Sequence, residues 1–285
     1  MQARSSSNVK VIDVSHHQGS IDWAKVKGDG VQGAFIKATE GKTGIDPKFP
    51  SNATDAAAVG LPVGFYHYAR AENNAPEDEA ANFFRAVMAY KATFPHVLDV
   101  EGEAADLGPT RLTAWCVRWL QEVERLTGAP AMVYTGASFA RSYLGMELAR
   151  WPLWVAHYGV ETPMNNSTWS RWSVFQYTSS GCVNGISGNV DINAMERSFY
   201  DQYVRGVAPA PAPQPSGEDK YKVVVNDVLV AYGRLIDGHV YLPLRKLGDA
   251  LGRPVSWDNA TKTPYVDGKP VSAFRLIDGT TYVGV

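Results

Sequence analysis

Between residues 9 and 144 the chain repeats one unit five times, a short apolar run followed by a helical pattern, and this repetition constrains its fold more than any other feature. Residues 9–14, 31–37, 61–68, 94–101 and 131–135 read as strands. Residues 21–27, 48–59, 76–90, 112–126 and 139–144 read as the helices that follow them. Pro76 opens the third helix with Glu77, Asp78 and Glu79 in its first turn. Leu112, Trp115, Cys116, Trp119, Val123 and Leu126 recur at helical spacing, and Gly128 supplies a stop signal. Residues 153–158, 173–177 and 190–193 then read as three more strands with little helix between them. Eight strands in such an order predict a parallel barrel that has lost its last three crossover helices.

In such a barrel the carboxyl ends of the strands carry the active site. Those ends are Asp13; Lys37 with Glu40; Tyr66, His67 and Tyr68; Asp99 with Glu101; Tyr134; His157 and Tyr158; Gln176 and Tyr177; and Asp191. Acids beside aromatics suit a sugar, because ring faces stack on pyranoses and carboxyls perform glycosidic chemistry. The fourth strand, Phe94-Pro95-His96-Val97-Leu98-Asp99-Val100-Glu101, is the most informative. Its alternation puts Val97, Asp99 and Glu101 on one face, with the two acidic Cα atoms roughly 6.5–7 Å apart. At that spacing one charge resists the other and raises a pKa, as acid catalysis at neutral pH requires.

Composition excludes other classes. The 285 residues carry 27 Lys plus Arg against 29 Asp plus Glu, so no field favours nucleic acid. Cys116 and Cys182 have neither disulfide-framework nor zinc spacing, and Cys116 falls on the apolar face of the fourth helix. His16 and His17 are adjacent, and in a strand they face opposite ways, so no metal is expected. The N-terminus lacks the apolar stretch of a secretory signal, and no apolar run is long enough to span a membrane.

Residues 208–217, Ala-Pro-Ala-Pro-Ala-Pro-Gln-Pro-Ser-Gly, form a semi-rigid linker, which places a boundary after a 1–206 barrel, a linker at 207–219 and a tail domain at 220–285. The tail contains an internal echo. Arg234-Leu235-Ile236-Asp237-Gly238 returns as Arg275-Leu276-Ile277-Asp278-Gly279, and Val225, Val230 and Tyr241 align with Val266, Val271 and Tyr282. Each copy reads as strand, Asp-Gly turn and strand, with a helix over 242–251 between copies, a small α+β unit.

Several blocks in order make residues 9 to about 205 resemble the family 25 glycoside hydrolases, the N-acetylmuramidase lysozymes of phage endolysins and bacterial autolysins. They are Asp13-Val14-Ser15-His16-His17-Gln18, Phe35-Ile36-Lys37-Ala38-Thr39-Glu40-Gly41, Gly64-Phe65-Tyr66-His67-Tyr68, Leu98-Asp99-Val100-Glu101, Val133-Tyr134-Thr135, Leu153-Trp154-Val155-Ala156, Phe175-Gln176-Tyr177 and Val190-Asp191. The resemblance implies an α/β, irregular TIM-like (β/α)5(β)3 barrel that cleaves the β-1,4 bond between N-acetylmuramic acid and N-acetylglucosamine without a cofactor. It implies Glu101 as general acid, Asp99 as the neighbour that assists the substrate's N-acetyl group, and Asp13 and Asp191 as further acids of the cleft. Lys37, Glu40, Tyr66, Tyr68, Tyr134, Trp154, Tyr158 and Gln176 then bind substrate. The tail resembles the small domains named after the N-terminal region of copper amine oxidases, through Val225-Asn226-Asp227, residues 236–245 and residues 251–258. It implies a cell-wall-binding module and no copper. The expectation is a monomeric phage endolysin whose partner is bacterial peptidoglycan, with no nucleic acid or membrane partner, held in the host cytoplasm until release to the wall. A bacterial autolysin, a chitinase-like hydrolase and an inert glycan-binding scaffold are the alternatives.

Overall fold

Residues that alternate along each strand of the N-terminal unit are sorted into two separate cores. The strands of the computed structural model are β1 (Val9–Val14), β2 (Gly33–Glu40), β3 (Gly44–Ile45), β4 (Val63–Tyr68), β5 (His96–Asp99), β6 (Ala131–Gly136), β7 (Leu153–Ala156), β8 (Val174–Gly181) and β9 (Val190–Met195). Val9, Val11, Phe35, Tyr66, Val97, Met132, Trp154, Val174 and Met195 point inward and pack on one another. The residues between them, among them Ile12, Ile36, Phe65, Leu98, Val133, Val155, Phe175 and Ile192, point outward into a second core beneath the helices. The structure describes residues 1–206, 221–225, 228–236, 239–272, 274–277 and 280–284. The chain divides into two units, Met1–Pro209 and Ala210–Val285.

The sheet runs β1-β9-β8-β7-β6-β5-β4-β2, and a β1–β2 pairing closes it into an eight-stranded barrel, with β3 appended to β2 as a short edge strand. Five helices follow the first barrel strands: α1 (Trp23–Gly28), α2 (Phe49–Ala58), α3 (Pro76–Val87), α4 (Pro109–Thr127) and α5 (Ala137–Tyr143). In α4 the expected stripe is buried, Cys116 with it, and Gly128 ends the helix in the left-handed conformation at φ 67°. Among the described residues no helix is long and apolar enough to cross a membrane.

One strand corrects the parallel barrel expected from the sequence. β9 runs antiparallel to both neighbours, β8 and β1. Residues 182–189 join β8 to β9, fewer than the dozen or so that a parallel crossover needs. The reversal brings the chain out at the opposite end of the barrel. There a sixth helix, α6 (Arg197–Val204), which the strand count did not anticipate, places Phe199 and Tyr200 against the inner core and closes that end.

The second unit holds a five-stranded sheet of β10 (Tyr221–Val225), β11 (Val228–Ile236), β12 (His239–Pro243), β16 (Phe274–Ile277) and β17 (Thr280–Gly284), ordered β10-β11-β12-β17-β16. Between the halves come α7 (Leu244–Ala250) and a small sheet of β13 (Val255–Asp258), β14 (Thr263–Val266) and β15 (Lys269–Pro270). The sequence echo is an echo of pairing. Val225 opposite Val228 repeats as Val266 opposite Lys269, and Arg234 opposite Tyr241 repeats as Arg275 opposite Tyr282. The expected Asp237-Gly238 and Asp278-Gly279 turns, Asn226-Asp227 and the 207–219 linker lie outside the described residues.

Candidate active site

The site is the continuation of the inner core by one step along each strand. Asp13 follows Val9 and Val11 at a period of two, Lys37 follows Phe35, Tyr68 follows Tyr66, Asp99 follows Val97, Tyr134 follows Met132, and Gln176 follows Val174. On the reversed β9 the order inverts, with Met195 deep, Asn193 above it and Asp191 at the rim. Every residue expected to act in catalysis or to bind substrate lines one cleft of about 370 Å³ except Glu40, and of the other strand-end residues His67, His157 and Tyr177 do not line it. Ser15, His17 and Ser179 line it too, and the sequence reading did not single them out.

Glu101 lies just past β5, in extended backbone at φ −161° and ψ −172°, and precedes a 3-10 turn at Gly102–Leu107. The alternation expected for this stretch holds, since Val97 enters the inner core while Leu98 and Val100 enter the outer one. Asp99 is buried, and burial first and Glu101 second push its pKa well above the ordinary carboxylate range, against the opposing pull of Lys37. Its Oδ1 is buried and has no hydrogen-bond partner. Glu101 is less enclosed, and burial raises its pKa too, with Lys37 again opposing and Asp191 and Glu103 adding to the rise.

A second acid pair faces the first. Asp13 and Asp191 are register partners across β1 and β9. Burial and then the Asp191 charge raise Asp13 to about 8, although two amides oppose the rise. Asn193 Nδ2 and Gln176 Nε2 both donate to Asp13 Oδ2, at 2.8 and 2.9 Å. Burial raises the Asp191 pKa as well, and the hydrogen bond that joins it to Asp13 opposes that rise. The amides are themselves held. Tyr134 and Tyr158 donate to Gln176 Oε1 at 2.9 and 2.7 Å, and Trp154 Nε1 donates to Asn193 Oδ1 at 2.7 Å. Trp154, stacked on Phe35 at 4.5 Å, is buried and belongs to the scaffold as much as to the cleft wall. Asn193 is the important residue that the sequence reading missed, and its position two residues beyond Asp191 on the same strand face was the available signal.

Glu40 acts at one remove. A bulge in the β2–β4 pairing between Lys37 and Thr39 breaks the period-two rule, so that residues three apart reach the same side. Lys37 Nζ then meets Glu40 Oε2 at 2.7 Å, and Arg70 clamps Glu40 Oε1 through Nε and Nη2 at 2.9 and 2.7 Å. Burial pushes the Glu40 carboxyl up, but Lys37 and Arg70 overcome it and hold the group below its ordinary value. Beneath this clamp His67, on the outer face of β4, binds Thr39 Oγ1 at 2.8 Å and Glu79 Oε2 at 2.7 Å, with His67 and Glu79 fully buried. Glu79, an acid of the first turn of α3, also accepts from the Arg70 backbone N–H and from Asn74.

The two adjacent histidines do not face opposite ways. His16 and His17 stand in a 3-10 turn rather than a strand, with ring centroids 4.0 Å apart. Asp46 Oδ2 lies 2.8 Å from His16 Nδ1, and no group of three or more potential metal ligands occurs among the described residues. Ser15 caps that turn, in a reciprocal arrangement with Gln18.

Known proteins share this architecture. The sequence profile of the glycosyl hydrolases family 25 matches residues 12–186. Lysozyme M1 of Streptomyces globisporus is 37% identical over 205 residues, covering 68% of this chain and 69% of its own. The autolytic lysozyme of Clostridium acetobutylicum is 33% identical over 235 residues, 81% of this chain and 68% of that protein. Among solved structures, the CTP1L endolysin superposes with a TM-score of 0.62 at 31% identity, covering 70% of each chain.

Proposed function

We infer the reaction from a fixed premise: the chain belongs to the glycosyl hydrolases of family 25, and it is a lysozyme acting on peptidoglycan. The bond cut is the β-1,4 link from N-acetylmuramic acid to N-acetylglucosamine. Glu101 is the general acid that protonates the leaving oxygen, and Asp99 receives the N–H of the substrate's own acetamido group. The observation that carries this reading is the buried Asp99 Oδ1 with no partner, beside a second carboxyl whose pKa is also raised. In the free enzyme two close acids resist double ionisation, and the deeper one, Asp99, competes for the proton. An N–H donated to Asp99 Oδ1 favours its carboxylate and drives the proton onto Glu101, so the acid is armed when the sugar is in place. Lys37 keeps the pair from holding two protons, and the Asp13–Asp191 pair lines the opposite wall.

Glu101→Gln keeps the shape and hydrogen-bonding capacity of the side chain but cannot give up a proton at this pH. It is expected to lower turnover on purified Gram-positive peptidoglycan by about 10²–10⁴-fold. Mass spectrometry of the wild-type products is expected to find N-acetylmuramic acid at the reducing ends. Unchanged lysis by Glu101→Gln removes that residue from the role, and reducing-end N-acetylglucosamine, as a chitinase-like enzyme leaves, overturns the bond assignment.

The wider setting in this reading is a monomeric phage endolysin that lyses a Gram-positive host after its membrane is breached, with the 220–285 unit tethering the barrel to the wall across the 207–219 linker and raising local substrate concentration. Expression in a Gram-positive cytoplasm with and without membrane permeabilisation tests it. Lysis without permeabilisation refutes the endolysin arrangement, and an isolated barrel that sediments with walls as fully as the whole chain refutes the tether.

A further inference from the structure

A second groove opens beside the catalytic cleft, and nothing in the chemistry above uses it. It has a volume of about 420 Å³ and lies between the His16 turn, the 41–47 loop that carries β3, and Arg70. Lys37 lines both groove and cleft, so the two are continuous at that side chain. Most polar groups in the groove are already engaged: Glu40 with Lys37 and Arg70, and His16 with Asp46. Lys42 is exposed, and no ion pair or hydrogen bond engages its ammonium among the described residues. Next to it stand Pro47 and Ile45, the latter 56% exposed, an apolar residue with no protein reason to face water. β3 is also the terminal strand of its sheet, paired with β2 alone among the described residues; Asn82 Nδ2 donates to its Gly44 carbonyl, and Ile45 stands exposed at the edge that another extended chain can meet.

We propose that this groove is a binding site for the short peptide carried by the muramic acid of the substrate. The proposal rests on the muramidase reading and deepens it. In peptidoglycan the lactyl group of each muramic acid bears a peptide of alanines with acidic and diamino residues. When the sugar lies among Asp99, Glu101 and Lys37, that branch must leave the cleft sideways, and the groove begins at Lys37. An extended peptide lies along the β3 edge in the manner of an added strand, its methyl groups against Ile45 and Pro47 and a carboxylate on Lys42. A glycan without peptide has no group for these features. The consequence is a lysozyme that prefers peptide-bearing strands, by contacts separate from the acids that cut them.

The test compares two substrates, intact peptidoglycan fragments and the same glycan strands after an amidase has removed the peptides. Lys42→Glu and Ile45→Asp change exposed side chains, and reducing-end release measures kcat/KM for each enzyme on each substrate. Both variants are expected to lose about fivefold to tenfold on the peptide-bearing strands, the loss of one apolar or charged contact, and to stay within about twofold of wild type on the bare glycan. Activity on bare glycan doubles as the folding control. Equal losses on both substrates, or no loss on either, overturn the proposal while leaving the muramidase reading intact. A wild-type enzyme that releases no muramic acid ends from either substrate overturns that reading and the groove's assignment with it.

Discussion

Asp13→Asn is expected to make the protein more stable, by an amount that grows with pH. Asp13 is buried, and its Oδ2 accepts two amide N–H groups while a hydrogen bond connects it to Asp191. That pattern suits a protonated acid, and the amide introduced by Asp13→Asn reproduces it: one carbonyl oxygen for both donors and N–H groups toward Asp191. With its pKa raised from the ordinary carboxyl value to about 8, Asp13 binds a proton in the folded state that the unfolded chain has released. The sign follows from proton linkage. Below about pH 4 both states are protonated and nothing is lost; between there and about 8 the free energy of unfolding falls by about 1.4 kcal/mol per pH unit. From pH 5 to pH 7 this group alone costs roughly 3 kcal/mol, and the variant does not incur that loss. Urea unfolding followed by tryptophan fluorescence at pH 5, 6 and 7 measures the gap between the two proteins. A gap that widens by roughly 3 kcal/mol over that range supports the argument. A gap that is constant with pH refutes it, because the stabilisation then comes from packing and not from a proton.

Lys37→Met removes the one lysine or arginine that lines the cleft among the described residues, so Asp99 and Glu101 both rise further, and the limbs of the kcat/KM–pH profile are expected to move to higher pH by about one unit. An unmoved profile shows that Lys37 does not control the pair. Gly64→Ala places a Cβ 2.6 Å from Phe35 and 3.1 Å from Phe94 in the inner core, and calorimetry is expected to find a destabilisation of about 1–3 kcal/mol; an unchanged melting temperature contradicts the packing described. Glu79→Leu leaves His67, the Arg70 backbone N–H and Asn74 without their buried acceptor and is expected to cost about 1–3 kcal/mol in chemical denaturation. A cost below about 1 kcal/mol means that these donors need no protein acceptor at this position.

Much of the architecture could be read from periodicity. The five strand–helix units come from runs whose spacing switches between two and 3.6, and a regular strand must put Val97 inside and Leu98 outside wherever the barrel's axis lies. The strand bounds that follow from these runs put Asp13, Asp99, Tyr134 and Gln176 at or near the carboxyl ends of their strands. Alternation failed where the backbone departs from regularity. The bulge after Lys37 turned Glu40 to the lysine's side, and the 3-10 turn at His16 brought together two rings that a strand separates. Strand direction was equally hidden, because residues 182–189 carry no pattern that distinguishes a return from a crossover, and only their number limits the choice.

The sequence by itself determined which side chains share a strand face and which strand ends carry acids, because alternation is a local property of extended backbone. It also determined that Asp99 and Glu101 stand near each other, since two residues so close along extended backbone cannot part. Only the tertiary structure decided that Asp13 meets Asp191, that Asn193 and Gln176 converge on one carboxylate oxygen, and that Arg70 reaches Glu40. The Asp13 meetings follow from barrel closure and the reversal of β9, which join residues more than 150 positions apart, whereas Arg70 and Glu40 are 30 apart and meet across β2 and the end of β4. Their electrostatic consequence, four acids with raised pKa values in one cleft, depends on burial and distance, and neither is encoded in a stretch of chain read alone.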